Sequence, residues 1–102
     1  MHLIEILLPL YDNNKKDFEA SAFDEIRNEL TEIFGGVTAF LRSPAEGRWK
    51  ENDGEVRRDD IVIFEVMSEQ LDRKWWSQYR RKLEKRFQQE KLIIRAIEIE
   101  QL

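Results

Sequence analysis

No cysteine occurs in these 102 residues, and histidine occurs once, at position 2. The first absence excludes disulfides, thiolate metal sites and a cysteine nucleophile, and it fits a reducing compartment. The second leaves little from which to assemble a catalytic triad, where a nucleophile needs a base that is itself oriented. His2 reads instead as a strand-end residue. No apolar run approaches the roughly 18 residues that span a bilayer. The opening "MHLIEILLPLYDNN" has neither the basic flank nor the small-residue cleavage site of a signal peptide. The expectation is a cytoplasmic protein with no membrane association.

What is present is a domain-sized chain, 41% hydrophobic and 37% charged, which suits one core with a well-solvated exterior. The whole of 1–102 reads as a single domain. "HLIEILL" at 2–8 is a strand that Pro9 stops. From residue 21, Ser21 and Asp24 suggest a capping box, and Phe23, Ile26, Leu30, Ile33 and Phe34 recur at helical spacing before Gly35 and Gly36. "GVTAFLR" at 36–42 and "DIVIFEV" at 60–66 carry the β-branched and aromatic residues of strands. Between them the "NDG" turn signal at 52–54 predicts a small hairpin arm holding Trp49. Residues 72–89 place Trp75, Trp76, Tyr79, Leu83 and Phe87 on one helical stripe behind Asp72 as N-cap, and "LIIRAIEI" at 92–99 closes with a strand. The order βαββαβ predicts a ferredoxin-like α+β fold, a four-stranded antiparallel sheet with both helices on one face.

That architecture leaves the other face bare. With Ile4, Ile6, Leu8, Val62, Phe64 and Val66 turned to the helices, the bare face receives Leu3, Leu7, Ile61 and Ile63 among Glu5 and Glu65. A contiguous apolar patch of this kind marks an interface, so a homodimer formed across the sheets is expected. The blander alternative is that a loop, or the arm around Trp49, folds over the sheet.

Chemistry is sparse. Asp59 and Asp60 adjoin one another, but neighbours on a strand point to opposite faces, so no metal site is expected. "FGG" at 34–36 lacks the lysine of a phosphate loop and reads as a helix cap. No catalytic residue and no cofactor can be assigned. For ligand binding, Tyr11, Arg42 and Trp49 are the candidates, lining a pocket beside the sheet in which Arg42 would hold an anion. The competing account of Trp49 is an indole that caps the sheet edge or the dimer partner. Trp75 and Trp76 are assigned to the core.

Charge is uneven. Residues 73–86 hold seven Lys or Arg against Glu84, a net of +6, which leaves −10 for the rest of a chain whose total is −4. A basic helix can bind phosphate, but nucleic-acid recognition ordinarily comes with a strongly basic domain, so nucleic acid is disfavoured as a partner and a solvated face is the simpler account.

"FGGVTAFLRSPAEGRWK", "DDIVIFEV" and "YRRKLEKRFQQEKLIIRAIEI" resemble a family of short bacterial proteins of unknown function, marked by FGGVT, a Gly-x-Trp hairpin and a Phe-Gln-Gln-Glu helix-to-strand junction. Gly47, Trp49, Phe87, Gln89 and Glu90 carry the resemblance. It implies a small ferredoxin-like cytoplasmic protein and brings no catalytic residues. Two functions from different classes follow. One is a homodimeric interaction or small-ligand-binding module. The other is an enzyme of the dimeric α/β-barrel type acting on a small aromatic or acidic substrate, an expectation from fold analogy. A weak nucleic-acid binder working through the basic helix 73–86 is a third.

Overall fold

The structure is a computed structural model that describes residues 1–42 and 61–102. Six elements follow in the expected order: β1 His2–Pro9, α1 Ala20–Phe34, β2 Thr38–Arg42, β3 Ile61–Ser68, α2 Arg73–Arg86 and β4 Ile93–Glu98. The strands form one antiparallel sheet in the order β2-β3-β1-β4. This is the ferredoxin-like arrangement, in which the two central strands are separated in sequence by a helix and an outer strand. The "NDG" arm and Trp49 lie outside the described residues.

Alternation along the central strands sorts the side chains as the sequence predicts. Ile4, Ile6, Leu8, Phe64 and Val66 are buried with Ile26 and Leu30 of α1 and Trp76, Tyr79 and Leu83 of α2, so both helices close one face of the sheet. Val62 packs against this cluster, half-buried. Burying each such side chain contributes about 1.5–3 kcal/mol before entropy is counted. Aromatic rings knit the helices together. Phe34 stacks on Trp76 with centroids 5.2 Å apart, and Phe18 meets Phe87 edge-on at 4.9 Å. Trp76 is buried and Trp75 packs against the core beside it, as their place on the stripe requires.

The start of α1 differs from the expected capping box. The N-cap is Glu19, Ser21 lies inside the first turn with its hydroxyl on Glu19 Oε2, and Asp24 is held by Arg27 at 3.1 Å. What sets the helix entry is a pair of rings: Phe18, just before the cap, meets Phe23, four residues past it, with centroids 6.4 Å apart. That is a hydrophobic staple, and burying two aromatics outweighs a solvent-exposed hydroxyl cap. The other end matches expectation, with Gly35 left-handed at φ 79° and its N–H bonded to the Thr31 carbonyl at 2.8 Å. Asp72 caps α2 as predicted, accepting the Trp75 N–H at 3.1 Å.

Pro9 does not stop β1 but ends it, opposite Ile61. On its other side β4 reaches only as far as Leu7, so no neighbour there needs the missing N–H. β3 runs on to Ser68 because Leu3 and His2 pair with Met67 and Ser68. The Phe-Gln-Gln-Glu junction gains a physical account as well. Gln88 takes a left-handed φ of 51°, its N–H reaches the Lys85 carbonyl and the Gln89 N–H reaches that of Glu84, which together make a Schellman ending with Phe87 sealed in the core. Asn13 donates to the Gln88 carbonyl at 3.2 Å, pinning the β1–α1 loop to this ending.

Candidate functional site on the open face of the sheet

Directly opposed residues of a sheet share a face, so register fixes what the helix-free side presents. Read across β2, β3, β1 and β4, the middle row is Thr38, Glu65, Glu5 and Arg95. On one side of it lies the row Phe40, Ile63, Leu7 and Ile93, and on the other the row Met67, Leu3 and Ile97. Two apolar rows thus enclose a charged one.

Exposure is graded across this face. Ile63 is 1% exposed, Leu3 and Leu7 are half-buried, and Phe40, Met67, Ile93 and Ile97 are 40–54% exposed. Apolar side chains this open at neighbouring register positions form a patch of the kind that interfaces use. In the charged row, Glu5 is buried and accepts the Arg95 Nε–H at 2.8 Å. Glu65 stands directly opposite Glu5 and has no ion pair among the described residues. Like charges in opposed positions repel, so the row carries one carboxylate more than its single guanidinium balances.

Of the three residues expected to bind a ligand, two can be followed. Tyr11 is half-buried just beyond β1, in an isolated bridge with Asp17. Arg42 ends β2 in the row Arg42, Ile61, Pro9, so register brings it to the same end of the sheet as Tyr11, with β3 and β1 between. Trp49 lies outside the described residues. Sequence reasoning singled out neither Arg95 nor the isoleucines of β4. The alternation Ile93, Arg95, Ile97 is legible in "LIIRAIEI", but which phase joins the bare face is decided by its pairing with β1.

A second concavity lies between the helices, a groove of about 280 Å³ with Glu29, Glu32 and Ile33 on α1 facing Trp75, Tyr79 and Lys82 on α2. Ile33, placed on the apolar stripe by its spacing, opens into this groove and is more than half exposed. Tyr79 is buried beneath it. Burial raises its phenol pKa above the ordinary 10.0, and the Glu29 carboxylate raises it further. Among the described residues the hydroxyl has no partner in hydrogen-bond geometry. Glu29 is engaged instead by Arg86, which also reaches Glu25 at 3.6 Å. With Arg80 3.8 Å from Glu84, two cations of the basic helix are directed to carboxylates of the protein itself. Arg73, Lys74, Arg81, Lys82 and Lys85 stay exposed. Among the described residues no cluster of three metal-ligating side chains occurs, and no helix is long and apolar enough to cross a membrane.

The fold and this face define a ferredoxin-like domain with an apolar, charge-striped sheet surface. No protein-family model matches the chain, and no curated protein matches it. Among solved structures it is similar to a phage SAM lyase in complex with S-methyl-5′-thioadenosine, with a TM-score of 0.62 and 15% identity over 95% of this chain and 80% of that one. At that identity the likeness establishes the shared fold.

Proposed function

We propose that this protein is a homodimeric interaction module whose two copies associate through the open face of the sheet. The observation that carries the reading is the pair of apolar rows, with Phe40, Met67, Ile93 and Ile97 left 40–54% exposed on a face that neither α1 nor α2 covers. Burying such rows against a like surface removes them from water at about 25 cal/mol per Å². Sedimentation equilibrium at micromolar concentration tests it. Twice the 12.3 kDa chain mass is expected, and a monomer at all concentrations removes the reading.

A small-molecule site, including an enzyme of the dimeric α/β-barrel type acting on a small aromatic or acidic substrate, is the second reading. It is supported by the fold shared with a SAM lyase whose structure holds S-methyl-5′-thioadenosine. Calorimetric titration with that nucleoside tests it, and absence of heat at millimolar ligand removes this form of it. A nucleic-acid partner has weaker support, because Arg80 and Arg86 of the basic helix face carboxylates of the protein. Membership of the family of short bacterial proteins is likewise proposed, on the FGGVT, Gly-x-Trp and Phe-Gln-Gln-Glu motifs; of these the last forms the Schellman ending of α2.

A further inference from the structure

The rows of the open face do more than offer grease. They constrain how a second copy can sit. Consider two sheets stacked face to face about a two-fold axis that lies between them. If the axis runs along the strand direction, every residue keeps its row, and only its position across the sheet is mirrored. The charged row therefore meets the charged row, and the question becomes which strand lies over which.

Across that row the charges run neutral, minus, minus, plus: Thr38, Glu65, Glu5, Arg95. An axis placed midway across the sheet, between β3 and β1, would set Glu5 over Glu65 in both directions and leave each Arg95 over a threonine. That stacks like charges in a surface being dehydrated, which is costly. Moving the axis by half a strand spacing, about 2.4 Å, brings it over β1. Then β1 lies over β1 and β4 of each copy lies over β3 of the other. Arg95 now faces Glu65 of the second copy, twice over. The apolar rows follow without adjustment, Leu3 meeting Leu3, Leu7 meeting Leu7, Ile97 meeting Met67 and Ile93 meeting the row position of Ile63, and the one like-charge contact that remains is Glu5 over Glu5 on the axis, where each carboxylate is already held by its own Arg95.

We infer that the homodimer forms with β1 on its two-fold axis, and that Arg95 of each copy pairs with Glu65 of the other. The inference rests on the dimer reading above. Its supports are the charge surplus and the geometry of Arg95. Glu65 has no ion pair among the described residues, and Arg95 spends only its Nε on Glu5 while its side chain is 46% exposed. The guanidinium fork thus has further donors for a second carboxylate. In the pair, Arg95 bridges its own Glu5 and the second copy's Glu65, so the like-charge contact between β1 and β3 is relieved by association. The crossing of about 30° between aligned sheets is compatible with an axis that bisects the two strand directions.

A charge-exchange experiment tests it. Arg95→Glu and Glu65→Arg each place like charges across the inferred contact twice, and each is expected to weaken self-association by about tenfold or more in sedimentation equilibrium. Mixed in equal amounts they form complementary pairs at both contacts, and affinity is expected to return to within about threefold of the unaltered protein. A dimeric parent with no recovery in the mixture overturns the inferred register and leaves the dimer reading standing. A monomeric parent overturns both.

Should either charge variant fail to fold by circular dichroism, the lack of native cysteine gives an independent measurement. Leu7→Cys carries the only thiol in the protein and is expected to cross-link with a short bismaleimide, because sheets stacked on β1 bring the two positions to about 10 Å. Pairing through the outer edge of β4 would set the two β1 strands three spacings apart, about 14 Å, with their side chains parallel rather than facing. Ile33→Cys, on the helix side, is expected to stay uncross-linked. No product from Leu7→Cys in a dimeric protein overturns the inference.

Discussion

The two faces of this one sheet are built from the same strands and similar residues, yet they are finished differently. On β1, Ile4, Ile6 and Leu8 enter a core closed by both helices, whereas Leu3, Glu5 and Leu7 one step away lie on the face that neither α1 nor α2 covers. The helix side contains apolar side chains at 0–3% exposure and a ladder of aromatic contacts. The open side keeps a carboxylate–guanidinium pair in its middle and its barest isoleucines at the rim. The same period-two alternation therefore supplies a closed core on one side and an apolar, charge-striped surface on the other. Apolar content does not separate the two. What separates them, among the described residues, is whether a helix covers the face.

Substitution can sharpen that contrast. Phe64→Ala, on the closed face, removes a fully buried ring and is expected to cost about 3–5 kcal/mol in urea unfolding. Ile93→Ser, on the open face, is expected to change the stability of the single chain by no more than about 0.5 kcal/mol while weakening self-association. Equal stability losses from the two would erase the distinction between the faces. Between these extremes lies Arg95→Ala. It strips the guanidinium from the buried Glu5 carboxylate and leaves it facing Glu65 alone, a loss of about 1–3 kcal/mol by the same measurement. Stability unchanged by Arg95→Ala would show that solvent already satisfies Glu5.

The closed face was legible in the sequence because local rules suffice for it. Alternation in "HLIEILL" and "DIVIFEV", an aromatic stripe from Trp75 to Phe87 and the glycine after Phe34 each specify an element and its inward side. The bare face was legible only in outline. That Leu3, Leu7 and Ile63 share it follows from alternation, but the rows require register. The pairing of Glu5 with Arg95 joins residues ninety positions apart, and no local pattern encodes it. Arg42 illustrates the same limit, since its approach to the Tyr11 end of the sheet depends on strand pairings across β3 and β1.

Helix entries show the limit on a smaller scale. Ser21 and Asp24 have the spacing of a capping box, but Phe18 and Phe23 determine where α1 begins, a decision taken by packing against Phe87 and Phe64. The two N-termini can be set against each other. Asp72→Ala removes an acceptor from the Trp75 N–H and is expected to cost about 1 kcal/mol, whereas Ser21→Ala removes a hydroxyl that caps nothing and is expected to cost a few tenths at most, about the difference in helix propensity. Comparable losses from the two would restore the capping box.

The smallest effect at neutral pH belongs to Tyr79, a buried residue of the helix side whose hydroxyl lacks a hydrogen-bond partner among the described residues. Tyr79→Phe deletes an unsatisfied hydroxyl without opening a cavity, so stability near pH 7 is expected to hold within about 0.5 kcal/mol or to rise slightly. The difference emerges in alkali. In the unfolded chain the phenol ionises near its ordinary 10.0, whereas burial and then the Glu29 carboxylate keep it protonated in the folded state. Above that pH the folded state binds more protons than the unfolded one, so stability declines as pH rises, and the contribution is complete below it. Removing the phenol removes that part of the decline. Urea midpoints taken from neutral pH to about pH 11 are therefore expected to fall less steeply for Tyr79→Phe than for the parent. Parallel curves would mean that the ring tips out toward the groove and ionises freely, which would make the aromatic wall between the helices a surface rather than part of the closed face.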